Sequence, residues 1–122
     1  MTQGPLQNYL RTHRRKTGLS QEDMAKLLGA ERDTTVSRHE SGQRLPALEM
    51  AIAYELVYQV PLRELFAGQV VEVGARVRRH ANRLLEETNG TLKGPRAQQK
   101  LETLIRLSES DEPVVVPLWH ED

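Results

Sequence analysis

Ser20 and Gly29 bracket eight residues, Gln21 to Leu28, whose local chemistry dictates a short helix. Serine is a strong N-cap, and Asp23 three residues on makes a variant of the capping box. Gly29 stops the helix because a left-handed residue at that point costs glycine nothing. After the loop Ala30-Glu31-Arg32, a second short helix is expected from about Asp33 to Ser41. Ala25 is small enough for a close crossing of the two helices, and Met24 and Leu28 are placed to meet Val36. Two short helices set steeply across each other through a tight turn are the consequence.

The surrounding segments supply a closed core for that pair. Leu6, Tyr9, Leu10 and His13 recur at helical spacing from Pro5 to about Thr17, with Gly18 as C-cap. Gly42-Gln43-Arg44-Leu45-Pro46 is a turn, with Pro46 near the first position of the next helix. That helix is expected to run to about Tyr58 with Leu48, Ile52 and Leu56 as its apolar stripe, flanked by Ala51 or Glu55. Pro61 to Phe66 forms a last short helix, and Ala67-Gly68 closes the unit. The fold class is therefore all-α: five helices around one apolar centre over residues 1–67.

Residues 68–107 read as a helical hairpin. Val70, Val73, Val77, Ala81, Leu84 and Leu85 lie on one stripe from about Gln69 to Glu87, close to a heptad seam. Asn89-Gly90 breaks it, Gly94-Pro95 opens another helix, and Ala97, Leu101, Leu104, Ile105 and Leu107 give that helix its apolar face. Val70, Val73, Val77 and Leu84 are the expected dimerisation residues; the alternative is that the hairpin packs back as extra core. The Arg-rich face (Arg76, Arg78, Arg79, Arg83) is otherwise solvated or lies near a nucleic-acid backbone. Residues 108–122 are an acidic tail, with Ser108 to Pro113 a linker and Val114 to Trp119 an apolar, β-favouring segment that either docks or stays free.

The stretch Gly18-Leu-Ser-Gln-Glu-Asp-Met-Ala-Lys-Leu-Leu-Gly29, followed by Val36-Ser-Arg-His-Glu-Ser-Gly-Gln-Arg-Leu-Pro46, resembles the phage-repressor and Cro-like helix-turn-helix family of bacterial regulators. The resemblance covers residues 6–67 and continues through Leu48, Ala53 to Tyr58 and Val60 to Phe66. It implies that Gln21 bonds a DNA phosphate at a helix N-terminus. It implies that Gly42, Gln43 and Arg44 grip the opposite strand, and that Glu40 and Arg14 tie the recognition helix to the first helix. The charge run Arg11, Arg14, Arg15, Lys16 is expected to add a phosphate contact, with Arg14 the candidate. The base-reading positions it implies are Asp33, Thr34, Ser37 and Arg38. Arg38 can fork onto guanine O6 and N7, and Thr34 and Ser37 can bond several bases. Asp33 is expected to cap its helix in preference to accepting from cytosine. Two features depart from the pattern. One extra residue lies between Gly29 and Val36, which would slide the recognition helix by about one position. His39 stands where the family prefers a large apolar residue, and a core histidine bonded to a backbone carbonyl is expected there.

The zero net charge conceals an uneven distribution, with a basic second segment and five acids but no Lys or Arg in the last fifteen residues. There is no cysteine, so neither a disulfide framework nor a thiolate zinc site is available. No metal, cofactor or enzyme is expected, since no nucleophile elbow, phosphate loop or ligand spacing frames the His, Asp and Ser residues. Nothing resembles a signal peptide or membrane span, so a bacterial or phage-derived, cytoplasmic, nucleoid-associated location is expected. The expected function is sequence-specific binding of double-stranded DNA as a homodimeric repressor on a palindromic operator. The alternative is an antitoxin or adaptor that holds a protein partner through residues 68–122.

Overall fold

The computed structural model describes residues 8–88 and 93–109. These form seven helices and no strand: α1 (Leu10–Thr17), α2 (Gln21–Leu28), α3 (Thr34–Ser41), α4 (Leu48–Tyr58), α5 (Leu62–Leu65), α6 (Ala67–Thr88) and α7 (Ala97–Glu109). The chain divides into two compact units between Val70 and Val71. Among the described residues no helix is long and apolar enough to cross a membrane. Pro5 and Leu6, the Asn89-Gly90 break and the tail segments Ser110 to Pro113 and Val114 to Trp119 lie outside the described residues.

The first unit is built as its caps dictate. The Ser20 side chain accepts from the Asp23 N–H at 2.9 Å, and the Asp23 carboxylate accepts from the Ser20 N–H at 3.1 Å. Those bonds hold the Asp23 carboxyl below its usual range. Gly18, Gly29 and Gly42 close α1, α2 and α3 in the left-handed conformation. The start of α1 differs from expectation, at Leu10 with Asn8 ahead of it. The Asn8 Oδ1 accepts from the Leu10 N–H at 3.0 Å and satisfies a donor that a helix beginning there would leave open.

Around these helices Leu10, Met24, Ala25, Val36, Tyr54, Tyr58 and Leu65 form the buried centre, with Leu19, Leu28, Val57, Val60 and Phe66 packed at its edge. Each full burial of a large apolar side chain contributes about 1.5–3 kcal/mol. The centre corrects one sequence expectation. In α4 the buried residues are Tyr54 and Tyr58, while Leu48, Ile52 and Leu56 are 70%, 43% and 68% exposed. This helix carries two apolar stripes. The one with two tyrosines turns inward, and one of the two hydroxyls, that of Tyr54, meets a polar partner described below. The turn to α5 is closed by Glu55, whose Oε1 accepts from the Leu62 N–H at 3.3 Å. A bond from the Tyr9 N–H to the Leu65 carbonyl, 2.8 Å, then joins the chain entry to α5.

In the second unit Ala81 and Leu104 are buried and Leu85, Leu101 and Leu107 half-buried. Gly94 takes a positive φ of 98° ahead of Pro95 and the start of α7. Of the four expected dimerisation residues, Val70 is half-buried, and Val73, Val77 and Leu84 are 41%, 39% and 43% exposed.

Candidate nucleic-acid interface

Helix α3 has two faces with opposite constraints. Its inner face is fixed by Val36, fully buried, and by His39, 2% exposed. It rests on α2 where Ala25, 2% exposed, lets the helices approach. Its outer face presents Thr34 and Arg38, both exposed, with Ser37 half-buried between them. Among the described residues no side chain bonds the Arg38 guanidinium, so it is available to a ligand.

Glu40 organises the edge of α3. Its Oε2 accepts from Arg14 Nε at 2.6 Å and its Oε1 from Arg14 Nη2 at 3.3 Å. A third bond reaches the same Oε1 from the Gln21 amide at 3.0 Å. Arg14 Nη1 donates to the Leu19 carbonyl at 3.0 Å. The two charged side chains are only 11% and 4% exposed, and the hydrogen bond to Glu40 raises the Arg14 pKa further. This is the tie between the first and recognition helices expected from the resemblance. The same bonds turn the Arg14 guanidinium inward onto Glu40 and Leu19, away from the position in which a phosphate contact was expected of it.

Gln21, Ser37 and Gln43 come together on one polar groove of about 310 Å³ that Arg11, Glu40 and Ser41 complete. The Asp23 N–H is taken by the Ser20 side chain, and the Met24 N–H by the Ser20 carbonyl at 3.0 Å. The N–H groups of Gln21 and Glu22 remain as the open donors of the α2 N-terminus, where an anion is favoured. Asp33 and Thr34 line a different hollow, about 420 Å³, with Glu22, Lys26, Glu31 and Arg32. The one-residue-longer turn thus sets Asp33 among other charges beside the start of α3. Asp33 makes no side-chain capping bond, contrary to expectation. Its backbone is already helical (φ −69°, ψ −17°), whereas a capping side chain needs an extended residue to curl back on the next turn.

The loop after α3 has its backbone donors engaged. The Gly42 N–H bonds the His39 carbonyl at 3.2 Å, Gln43 N–H the Ser41 Oγ at 3.4 Å, and Arg44 N–H the Arg38 carbonyl at 3.3 Å. Gln43 and Arg44 are exposed in this loop, whereas its main-chain donors are occupied.

His39 is a core residue whose partner differs from expectation. Its Nδ1 shares a 2.9 Å hydrogen bond with the Tyr54 hydroxyl, and the rings meet edge to face with centroids 5.7 Å apart. Burial, reinforced by Arg44, lowers the His39 pKa, and burial pushes the Tyr54 hydroxyl well up, so both are neutral. Among the described residues no cluster of His, Asp and Glu has the arrangement to hold a metal ion.

Two participants, Asn8 and Tyr54, were given no role by the sequence reading. Asn8 accepts from the Leu10 N–H at the start of α1 and donates from Nδ2 to the His39 carbonyl at 3.0 Å, which ties it to the end of α3. An Asn just ahead of a helix is a cap signal, and it was legible. Tyr54 lay in the Ala53 to Tyr58 stretch of the resemblance without a role of its own, and Arg11, which completes the groove, was named within its charge run.

Residues 10–65 match the model of a family described as helix-turn-helix. No curated protein and no solved structure matches the chain.

Proposed function

We propose that the Cro/C1-type helix-turn-helix domain at residues 10–65 makes this chain a transcriptional repressor that binds a palindromic operator as a homodimer. The observation that carries the reading is the two-faced α3. Val36, His39 and Glu40 lock one side, while Thr34, Ser37 and an unpartnered Arg38 stand on the other. A rigid helix with polar side chains along one outer face is what major-groove readout requires, and the Ser37 hydroxyl, which donates to the Thr34 carbonyl at 3.3 Å, keeps its lone pairs to accept. Arg38 reads guanine, Thr34 and Ser37 read neighbouring base edges, and Asp33 disfavours phosphate at the start of the helix. Gln21, Gln43 and Arg44 set the register on the backbone, with Gly42 supplying the bend; Arg14 supports them through Glu40. The exposed line Val73, Val77, Leu84, continued by Val70, joins two chains.

Repression then follows from occupancy of a promoter. The test is selection of bound duplexes from a random pool, with the mass of the complex measured on the selected sequence. Two inverted half-sites about 34 Å apart, bound by two chains, are expected. An unstructured pool, or a complex of one chain on one half-site, would reject the reading.

A further inference from the structure

Between Glu72 and Glu86, α6 carries four arginines and no Asp or Glu. Three of them, Arg76, Arg79 and Arg83, follow one another by three and four residues and so share one face of the helix. At about 3.6 residues per turn, that face lies on the side of α6 away from the buried Ala81. All three side chains are exposed, and among the described residues none makes a hydrogen bond or ion pair. They stay unpaired although Glu72 stands four residues before Arg76 and Glu87 four residues after Arg83. Arg78 is not part of this stripe, being half-buried with its Nε covered.

We infer that this stripe binds the phosphodiester backbone of duplex DNA beyond the bases that α3 reads. From Arg76 to Arg83 the helix advances about 10 Å, at about 1.5 Å per residue. Duplex DNA presents one charge for about every 1.7 Å of its axis, so each arginine on such a line has a phosphate to meet. A guanidinium suits that partner, because its fork of N–H groups bonds two phosphate oxygens at once. The chain's own acidic tail matches the line less well. Asp111 and Glu112 are separated from Glu121 and Asp122 by eight residues without an acid. A segment extended at about 3.3 Å per residue lays only one of those pairs on the stripe.

The charge inventory of the first unit favours such a contact. Arg14 is engaged by Glu40 and the Leu19 carbonyl. Of the groups proposed above to set the register on the backbone, only Arg44 therefore carries a charge. Each phosphate neutralised contributes about 0.9 to the slope of log affinity against log salt, and the stripe supplies three more cations per chain. Covalent connection lowers the affinity the stripe itself needs. Helix α6 begins at Ala67, just after the helix-turn-helix domain at residues 10–65, and runs unbroken to Thr88. Once α3 holds a duplex, the stripe meets it as an intramolecular event. The place of the stripe on an operator rests on the operator-binding reading above; its affinity for duplex backbone does not.

The test uses the full-length chain, the variant Arg76→Gln/Arg79→Gln/Arg83→Gln and the charge-keeping variant Arg76→Lys/Arg79→Lys/Arg83→Lys. Each is titrated with a selected duplex carrying flanks of about one helical turn, and with the same duplex trimmed to its half-sites. The three side chains are exposed and unbonded, so helical content by circular dichroism and mass by light scattering are expected to persist. The unmodified chain is expected to bind the flanked duplex about tenfold more tightly than the trimmed one. The glutamine variant should lose that difference and keep the base preference, with the salt slope flattened by up to about three units per chain. The lysine variant should stay close to the unmodified chain. Unchanged affinity and slope in the glutamine variant overturn the inference, as they would if residues 110–122 hold the stripe instead. Equal loss in both variants also overturns it, because charge would then not be the cause. Failure of the unmodified chain to select any sequence rejects the operator reading alone. The stripe is then decided on random duplex at low salt, where the glutamine variant is expected to bind about tenfold more weakly and unchanged binding overturns the inference.

Discussion

Arg14 and Glu40, 26 positions apart in sequence, are joined in a nearly buried ion pair with Nε 2.6 Å from Oε2. The pair holds α1 against the recognition helix, and through the second Glu40 oxygen it also holds Gln21. Breaking one side of such a pair strands a charge. Arg14→Met is expected to cost about 3–5 kcal/mol of stability by urea denaturation, and Glu40→Leu about as much. The double variant should recover most of that loss, since an apolar pair of similar size removes both desolvation costs. A double variant as unstable as the sum of the singles would contradict this.

Protonation should loosen the same helix from its other side. Burial lowers the His39 pKa from 6.5, with Arg44 adding to it, and burial likewise lowers that of His13, with Lys16 adding and Glu64 opposing. The unfolded chain therefore binds protons at these sites at a higher pH than the folded chain. Their stabilising contribution is complete above about pH 6.5 and is lost as pH falls toward the folded values. Urea midpoints measured from pH 7.5 downward should fall through this window. His39→Leu with Tyr54→Phe, which removes the 2.9 Å bond whole, should flatten the slope.

Arg38 is exposed and unpartnered among the described residues. Arg38→Ala is expected to cost about 1–3 kcal/mol on the selected operator and to relax preference at one guanine. Equal weakening on operator and random duplex, in a titration of both, would reduce Arg38 to a phosphate contact.

Arg44→Ala and Gln21→Ala should weaken binding with the preferred sequence unchanged, because phosphate contacts fix register without reading bases. Only Arg44 carries charge. Its loss should flatten the slope of log affinity against log salt by roughly one unit, and the loss of Gln21 should not. A shifted base preference in either variant would contradict the assignment.

Val77 is 39% exposed, so Val77→Glu is expected to leave the fold intact while placing a carboxylate in the α6 seam. Light scattering should show a folded monomer, with operator affinity reduced at least tenfold and circular dichroism unchanged. Retained dimer mass would move the main pairing surface off α6.

Local chemistry was legible in the sequence wherever a short-range rule decides the outcome. The Ser20–Asp23 capping box and the glycine caps at 18, 29 and 42 follow from residues within a turn of one another, and the Ala25 crossing from a small residue between two helices joined by a short turn. The tie between Arg14 and Glu40 came from resemblance, and the structure supplied its geometry. Long-range choices were not legible. Helix α4 offers two apolar stripes of equal period, and periodicity cannot say which one faces inward. The core decided it, by pairing the buried ring nitrogen of His39 with the hydroxyl of Tyr54. The two tyrosine rings pack against each other and into the cluster of Leu10, Val36 and Leu65, while the Tyr58 hydroxyl has no hydrogen-bond partner among the described residues. The same distinction explains Asp33. Its residue type favours a cap, but α3 enters its position with a helical backbone at residue 33, and a side chain cannot cap from that conformation.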